Sequence, residues 1–210
     1  MMDVIQGFIE NERRGHDRQR GFTLIEVLIA LTIIVMAGSA LLLATYSAMD
    51  AATDSLDRTI AQGIARQFLD EAMGLAYAEP GSDSLSLPLG PESGEDASAG
   101  RFVSFDDTDD FANYQAMPLV DPWDKPLGTG DDQGDLRHRN FRLLPSHFDS
   151  WDLKSTVVYV DETDPKTLLP TGSTSGMRAI EVSVYKHQEN DSARLLVTMR
   201  RVYCHVPSPQ

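Results

Sequence analysis

Residues 22–46 form an almost uninterrupted apolar run, FTLIEVLIALTIIVMAGSALLLATY, which limits the possible folds more than any other feature of the chain. The run is about 25 residues long, and a helix of that length crosses the ~30 Å hydrocarbon layer of a membrane. Four arginines precede it in the segment RRGHDRQR, residues 13–20. Because a cationic flank stays on the cytoplasmic side, we expect one membrane span with its N-terminus in the cytoplasm and the rest of the chain outside.

The apolar run does not have the form of a secretory signal peptide. It is longer than the usual apolar core, no Ala-x-Ala-like cleavage site follows it, and helix-forming sequence continues beyond its end. A segment that stays in the mature protein fits the pattern better. A plain signal anchor is the simplest protein of this kind.

Glu26 is the one acidic side chain inside the apolar run. A carboxylate placed in hydrocarbon is costly, so intramembrane acids usually have a partner or a function. In a lone anchor, the side chain would instead reach back to the polar interface. We expect a partner for Glu26.

The stretch RQRGFTLIEVLIALT, residues 18–32, resembles the processing site of type IV pilins and type II secretion pseudopilins. The resemblance implies that residues 1–21 are a cytoplasmic leader and that a prepilin peptidase cuts between Gly21 and Phe22. It implies methylation of the new amino group of Phe22, and assembly with other pilin or pseudopilin subunits through an inner-membrane assembly platform. Glu26 would then meet the positive chain end of a neighbouring subunit and set the register between the two.

Apolar residues recur mostly every four positions after the membrane-spanning run, which predicts that the helix continues. They are Met49, Leu56, Ile60, Ile64, Phe68, Ala72 and Leu75. We expect the helix to extend through an amphipathic part, residues 47–78, and to end at Pro80 and Gly81. This outer part would pack on a soluble domain, and the inner part, residues 22–46, would remain available to other subunits. A coiled coil is the alternative, but its spacing of three and a half residues fits less well.

The C-terminal half carries the signals of a β-sheet domain. Residues 79–100 are rich in Pro, Gly, Ser and acidic residues and predict a long loop. Over residues 101–210, five segments enriched in β-branched and aromatic residues predict an antiparallel sheet. They are RFVSF at 101–105, NFRLL at 140–144, STVVYV at 155–160, AIEVSVYKH at 179–187 and RLLVTMRRVY at 194–203. One long helix packed on one antiparallel sheet is an α+β fold, which the resemblance to pilins also implies.

The last two predicted strands form a hairpin that turns within residues 188–193. Alternation along each strand places three apolar residues of each on the same face. They are Ile180, Val182 and Val184 on the first strand, and Leu195, Val197 and Met199 on the second. We expect this face to cover the apolar stripe of the helix.

Four carboxylates lie within five residues of one another in the segment FDDTDDF, at Asp106, Asp107, Asp109 and Asp110. Such a cluster favours a bound cation, and its oxygen ligands suit Ca²⁺. The twelve-residue spacing and the terminal glutamate of an EF-hand are missing, so a solvated acidic loop is the alternative. The same two interpretations apply to Asp131, Asp132 and Asp135 in GTGDDQGD.

Composition and motifs argue against several classes of function. The net charge of −14 would repel phosphate backbones, so we expect no nucleic-acid partner. Cys204 is the only cysteine and therefore forms no intrachain disulfide. The histidines share no short ligand spacing, and no nucleophile elbow, Walker loop or dinucleotide fingerprint occurs. We predict a protein that is not an enzyme and that has no cofactor, apart from the calcium considered above.

Two further segments resemble parts of filament subunits. FDDTDDF, followed by STVVYVDE, resembles minor pilins similar to the mannose-sensitive haemagglutinin pilus biogenesis protein D, and VDPWDKPLG at 120–128 resembles a loop of major pseudopilins. We expect a minor pilin or pseudopilin that initiates, caps or decorates a type IV pilus-like or type II secretion filament. It would begin in the inner membrane and end in a periplasmic or extracellular filament. The alternative is a monomeric, signal-anchored binding module whose acidic loop captures a cation or ligand at the cell surface.

Overall fold

The computed structural model describes residues 21–79, 81, 83–95, 100–128, 146–188 and 192–206. Its elements are α1 (Leu24–Met73), α2 (Arg101–Ser104), β1 (Gln115–Ala116), β2 (Trp151–Tyr159), β3 (Met177–His187) and β4 (Ala193–Cys204). The strands form one antiparallel sheet in the order β1-β2-β3-β4. The predicted α+β fold, a long N-terminal helix and an antiparallel sheet, is confirmed. The chain divides into two compact units, Met1–Ala52 and Thr53–Gln210.

The first unit is described from residue 21 onward and consists mainly of the first part of α1. Its large apolar side chains face outward: Leu24, Ile34 and Leu42 are 83%, 65% and 61% exposed. In length and composition, α1 is suited to cross a membrane. This stretch therefore has no core of its own within the described chain.

The helix ends earlier than the sequence predicted. We expected it to reach residue 78, but α1 ends at Met73. Gly74 N–H donates to Glu71 O at 3.1 Å, a three-residue spacing that is typical of a tightened last turn. Ala76 then pairs with Asp107, and its carbonyl accepts the Thr108 N–H at 3.1 Å. The chain after Gly74 therefore satisfies its backbone groups against another segment instead of continuing the helix.

The buried face of the outer helix is rotated by about one residue from the predicted stripe. Leu56 and Met49 are exposed, whereas Ala61, Ala65 and Leu69 are fully buried. The two alanines are small enough to let the sheet approach the helix closely. The predicted positions nearer the C-terminal end of α1 are correct: Phe68 and Ala72 are buried, and Ile60 and Ile64 pack partly against the core.

Asp57 lies on this buried face, although an acidic side chain is normally found in water. Its Oδ2 atom is 2.7 Å from Lys186 Nζ and 3.6 Å from Arg194 Nη2. Both bases come from the β3–β4 hairpin, and their charges compensate the buried carboxylate. The ion pairs fix the N-terminal end of the packed helix face to the end of the sheet.

RFVSF does not form the predicted strand. Residues 101–104 form α2, a single helical turn that follows Gly100. Gly100 has a φ of 89°, and a Cβ there would lie 2.8 Å from Pro122 O, so only glycine fits. This contact with a distant loop, which the sequence does not reveal, determines the local conformation. NFRLL, at 140–144, lies outside the described residues.

The β3–β4 hairpin confirms most of the predicted pairing. Val182 lies opposite Met199 and Val184 opposite Val197. A bulge follows Val184, because Tyr185 pairs with Leu195 and leaves Leu196 as the extra residue. The bulge reverses the predicted orientation at this point, so Leu196 is buried and Leu195 is exposed.

The core of the second unit lies between the outer part of α1 and the inner face of the sheet. Trp151 begins β2 and is fully buried beside Phe148, with their ring centroids 5.3 Å apart. Phe68 of α1 meets Phe111 edge to face at 5.2 Å. These aromatic contacts bring the residues before β1 and β2 into the same core as the helix.

Candidate functional site

Glu26 and Thr23 form a reciprocal cap at the start of α1. Thr23 N–H and Oγ1–H each donate to Glu26 Oε2 at 2.9 Å, and Glu26 N–H donates to Thr23 Oγ1 at 3.3 Å. The spacing is that of a capping box, which satisfies backbone donors that have no partner within the helix. The acidic side chain also lies in the first turn, where the helix dipole favours negative charge.

Gly21 and Phe22 come immediately before this cap. Both residues are exposed, and Phe22 is 85% exposed. The helix begins at Leu24, so the bond between them lies outside it. Both Thr23 donors bind Glu26 Oε2, so the cap does not use the other carboxylate oxygen, Oε1.

The acidic segment FDDTDDF, for which the sequence allows a cation site or a solvated loop, is largely buried in the second unit. Asp107, Asp109 and Asp110 are buried. Asp106 alone is exposed. Asp107 accepts hydrogen bonds from Glu79 N–H at 2.9 Å and from Asp109 N–H at 2.7 Å. Asp110 Oδ2 accepts the N–H groups of Asp106 at 2.9 Å and Asp107 at 3.2 Å. These side chains hold the backbone of their own segment in place.

Burial also changes the protonation of the cluster. Loss of hydration raises the pKa of Asp107 to about 8 and the pKa of Asp110 to about 6. The neighbouring carboxylates add to both shifts, because a second negative charge disfavours ionisation. The surroundings of Asp107 and Asp110 therefore stabilise the ionised forms of these two side chains poorly.

Asp109 has a positive partner in β3. Arg178 is fully buried, and its Nη1 atom lies 3.1 Å from Asp109 Oδ1. The same guanidinium donates to Tyr77 O at 2.6 Å and to Tyr159 Oη at 3.2 Å. Its Cζ atom also lies 4.3 Å from the centroid of the Tyr77 ring. Arg178 thus joins the acidic segment, the chain after α1 and the sheet.

A second buried arginine, Arg101, holds α2 against the long helix. Its Nε and Nη2 atoms donate to the two carboxylate oxygens of Glu71 at 2.9 and 3.1 Å. A third donor, Nη1, reaches Tyr114 Oη at 2.6 Å. Two-point binding of a carboxylate fixes orientation as well as distance. The ion pair therefore holds α2, and with it the end of the loop after α1, against α1.

Sequence reasoning did not identify Arg101, Arg178 or Glu71 as important residues. Arg178 lies 69 residues from Asp109, and Arg101 lies 30 residues from Glu71. No short-range pattern connects such pairs. The remaining predicted acids, Asp131, Asp132 and Asp135, lie outside the described residues.

Residues 16–42 match the family described as Prokaryotic N-terminal methylation motif. The chain is also 33% identical over 122 residues to Type II secretion system protein I of Pseudomonas aeruginosa. That alignment covers 58% of this chain and 88% of the relative. No solved structure matches the chain.

The two matches agree with the architecture. The methylation motif spans Gly21, Phe22 and Glu26 together with the first part of the exposed apolar helix. The relative is similar over most of its own length, well beyond what the motif alone covers. With its long N-terminal helix and antiparallel sheet, this chain belongs to the type IV pilin and pseudopilin family.

Proposed function

We propose that this protein is a minor pseudopilin, a structural subunit that initiates, caps or decorates a type II secretion filament. The observation that carries the proposal is the exposed apolar stretch of α1, which begins two residues after Phe22 and is capped by Thr23 and Glu26. Similarity to a type II secretion system protein supports a secretion filament more than an adhesive pilus. A minor role is supported by the acidic second unit and by the single cysteine, which excludes a disulfide-closed loop.

Processing would prepare the chain for assembly. A prepilin peptidase would cut between Gly21 and Phe22 on the cytoplasmic side and methylate the amino group of Phe22. The new chain end would carry a positive charge one residue before the Thr23 cap. Because the apolar helix remains in the mature protein, the subunit would stay in the inner membrane with its second unit outside until an assembly platform extracts it.

Assembly would then exchange lipid for protein around the helix. Side chains such as Leu24, Ile34 and Leu42 are exposed and need an apolar environment. Helices of other subunits provide that environment in a filament. Glu26 would offer Oε1 to the positive chain end of a neighbour while Oε2 continues to cap its own helix. The pairing would select one register among many that apolar contacts alone would allow.

The subunit would act through its shape and contacts and not through catalysis. Proteins of the pilin and pseudopilin family are structural. In this chain, the two buried arginines hold segments of the fold together through ion pairs and hydrogen bonds. Arg101 and Arg178 both have carboxylate partners in the core. We therefore assign these polar groups to architecture.

The decisive experiment is mass spectrometry of the protein purified from its native cell. We expect a chain that starts at methylated Phe22 and that sediments together with filament components. A chain that retains residues 1–21 and never sediments with polymer would overturn the proposal. That result would favour a monomeric anchored module instead.

A further inference from the structure

A second acidic group lies beside the segment described above. Within the described residues, Glu92, Glu95 and Asp110 each place one carboxylate oxygen within 4.8 Å of the other two. Glu92 and Glu95 come from the loop after α1, whereas Asp110 comes from the segment after α2. The group therefore forms only when two distant parts of the chain fold together.

A tight turn brings the two glutamates to one point. Glu95 N–H donates to Glu92 O at 3.1 Å, and Glu92 N–H donates to Glu95 Oε2 at 2.9 Å. Gly94 lies between them with a φ of 112°, a conformation that other residues rarely adopt. The turn thus directs both carboxylates to the same side, although like charges repel each other.

Asp110 supplies the observation that indicates a ligand. Its side chain is fully buried, and among the residues that the structure describes its Oδ1 atom has no hydrogen-bond partner. The other oxygen, Oδ2, already accepts two backbone N–H groups. A buried carboxylate oxygen without a partner is costly and uncommon. The Asp110 carboxylate lies next to those of Glu92 and Glu95, and an ionised carboxylate has no hydrogen to donate to it.

We propose that Glu92, Glu95 and Asp110 bind one hard divalent cation, and that this cation is Ca²⁺. A cation would satisfy Asp110 Oδ1 and remove the repulsion among the three carboxylates. The ligand atoms are all oxygens, which excludes the softer metals that prefer thiolate or imidazole. Ca²⁺ accepts irregular geometry and takes six to eight oxygens, so water would complete its shell.

Of the four aspartates from 106 to 110, only Asp110 belongs to this site. Asp109 is paired with Arg178, and Asp107 binds backbone groups.

The site would connect the loop after α1 to the segment that contains the Asp109–Arg178 pair. Glu92 is exposed and Glu95 is partly exposed, so a cation can reach the site from solvent. Bound Ca²⁺ would hold the loop against the second unit and stabilise the folded state, since an unfolded chain does not bring the three carboxylates together.

Calorimetric titration of the full chain in detergent, stripped of metal with a chelator and then titrated with CaCl₂, tests the proposal. We expect one Ca²⁺ per chain with a dissociation constant on the order of 10⁻⁴–10⁻³ M, as in extracellular modules. Glu92→Gln and Glu95→Gln should each weaken binding at least about tenfold, because each removes a charged ligand. Both changes are at solvent-accessible positions, so the variants should fold.

Asp106→Asn is the matched control. It removes one negative charge from the neighbouring segment but no ligand, so it should change the affinity by less than about twofold. A thermal melt provides the second measurement, and Ca²⁺ should raise the midpoint of the wild type and of Asp106→Asn but not of Glu95→Gln. The absence of Ca²⁺ binding, or an unchanged affinity in both glutamate variants, would overturn the site. Tighter binding of Mg²⁺ than of Ca²⁺ would overturn the choice of ion. None of these outcomes bears on filament assembly, which is tested separately at Phe22.

Discussion

The stretches of α1 before and after Ala52 differ in the exposure of their apolar side chains. In the inner stretch, Leu42 is largely exposed, whereas Leu69 in the outer stretch has no exposed surface. Charged groups show the reverse pattern. Glu26 is exposed on the apolar inner stretch. Asp57, in contrast, is buried under the sheet of the outer unit and paired there with Lys186.

The difference shows where each stretch obtains its stability. The outer stretch buries its apolar face within the chain, so its folding depends on contacts that one subunit already contains. The inner stretch has the same helical backbone but packs against no core among the described residues, so its apolar surface requires lipid or other subunits. Substitutions in the outer stretch should therefore change folding, and those in the inner stretch should change assembly.

The largest expected effect lies at Glu26 and concerns assembly alone. Glu26→Gln retains an oxygen that can accept the Thr23 hydrogen bonds but removes the charge. We expect incorporation into filaments to fall by at least about tenfold, because a neutral amide loses the attraction to the neighbour's chain end. Cleavage after Gly21 and the unfolding of the second unit should remain unchanged. Co-sedimentation with filament components measures the first effect, and mass spectrometry the second.

Thr23→Ala is the control that separates charge from capping. It removes the Oγ1 atom that caps the helix and leaves the Glu26 carboxylate in place. If charge pairing sets the register, this variant should assemble far better than Glu26→Gln. The opposite ranking would show that Glu26 acts through the cap of its own helix.

In the outer unit, the largest expected effect is a loss of folding stability in Arg178→Met. Methionine fills much of the volume but leaves Asp109 without its positive partner. Removing one member of a buried ion pair typically costs about 3–5 kcal/mol. Denaturant unfolding of the full chain in detergent, followed through tryptophan fluorescence, should show this loss in the free energy of unfolding.

Two further variants define the cause of that loss. Arg66→Met removes an exposed arginine of α1 and should change stability by less than about 0.5 kcal/mol. The double variant Arg178→Met with Asp109→Asn should recover part of the loss, because the unpaired charge is removed as well. Equal losses in Arg178→Met and Arg66→Met would show that the buried network contributes little.

The two stretches were not equally predictable from the sequence. The apolar run and the four-residue spacing identify the helix, and β-branched segments identify the three longer strands, because these signals are local. The rotation of the outer face depends on Asp57, whose partner Lys186 lies 129 residues further along the chain. The conformation after Gly100 depends on contact with Pro122.

The candidate site residues also differ in how far the sequence predicts them. Gly21, Phe22 and Glu26 belong to one contiguous motif, so a resemblance identified them together. The acids of FDDTDDF are equally visible in sequence, but their burial is not, because Asp109 is paired with Arg178 of β3, 69 residues further along the chain. Glu92 and Glu95 showed no signal at all, since only the folded chain brings them to Asp110.

The variants Leu69→Ala and Leu42→Ala compare the two stretches directly. Both remove the same atoms from the same helix. Leu69→Ala should lower the free energy of unfolding by about 2–5 kcal/mol, because it leaves a cavity in a packed core. Leu42→Ala should lower it by less than about 0.5 kcal/mol, because that side chain has no core to leave. Comparable losses in the same denaturant measurement would contradict the division of the helix.

The smallest expected effect comes from adding volume instead of removing it. Ala65 is fully buried in the core cluster between helix and sheet, whereas Ala44 is exposed on the inner stretch. Ala65→Leu forces the sheet away from the helix and should cost about 1–3 kcal/mol of folding stability. Ala44→Leu should not change the unfolding curve. If Ala44→Leu also weakens co-sedimentation with filaments, the inner face packs closely against other subunits. A leucine tolerated at position 65 would instead show that the helix and sheet are loosely packed, and that the alanines do not determine their distance.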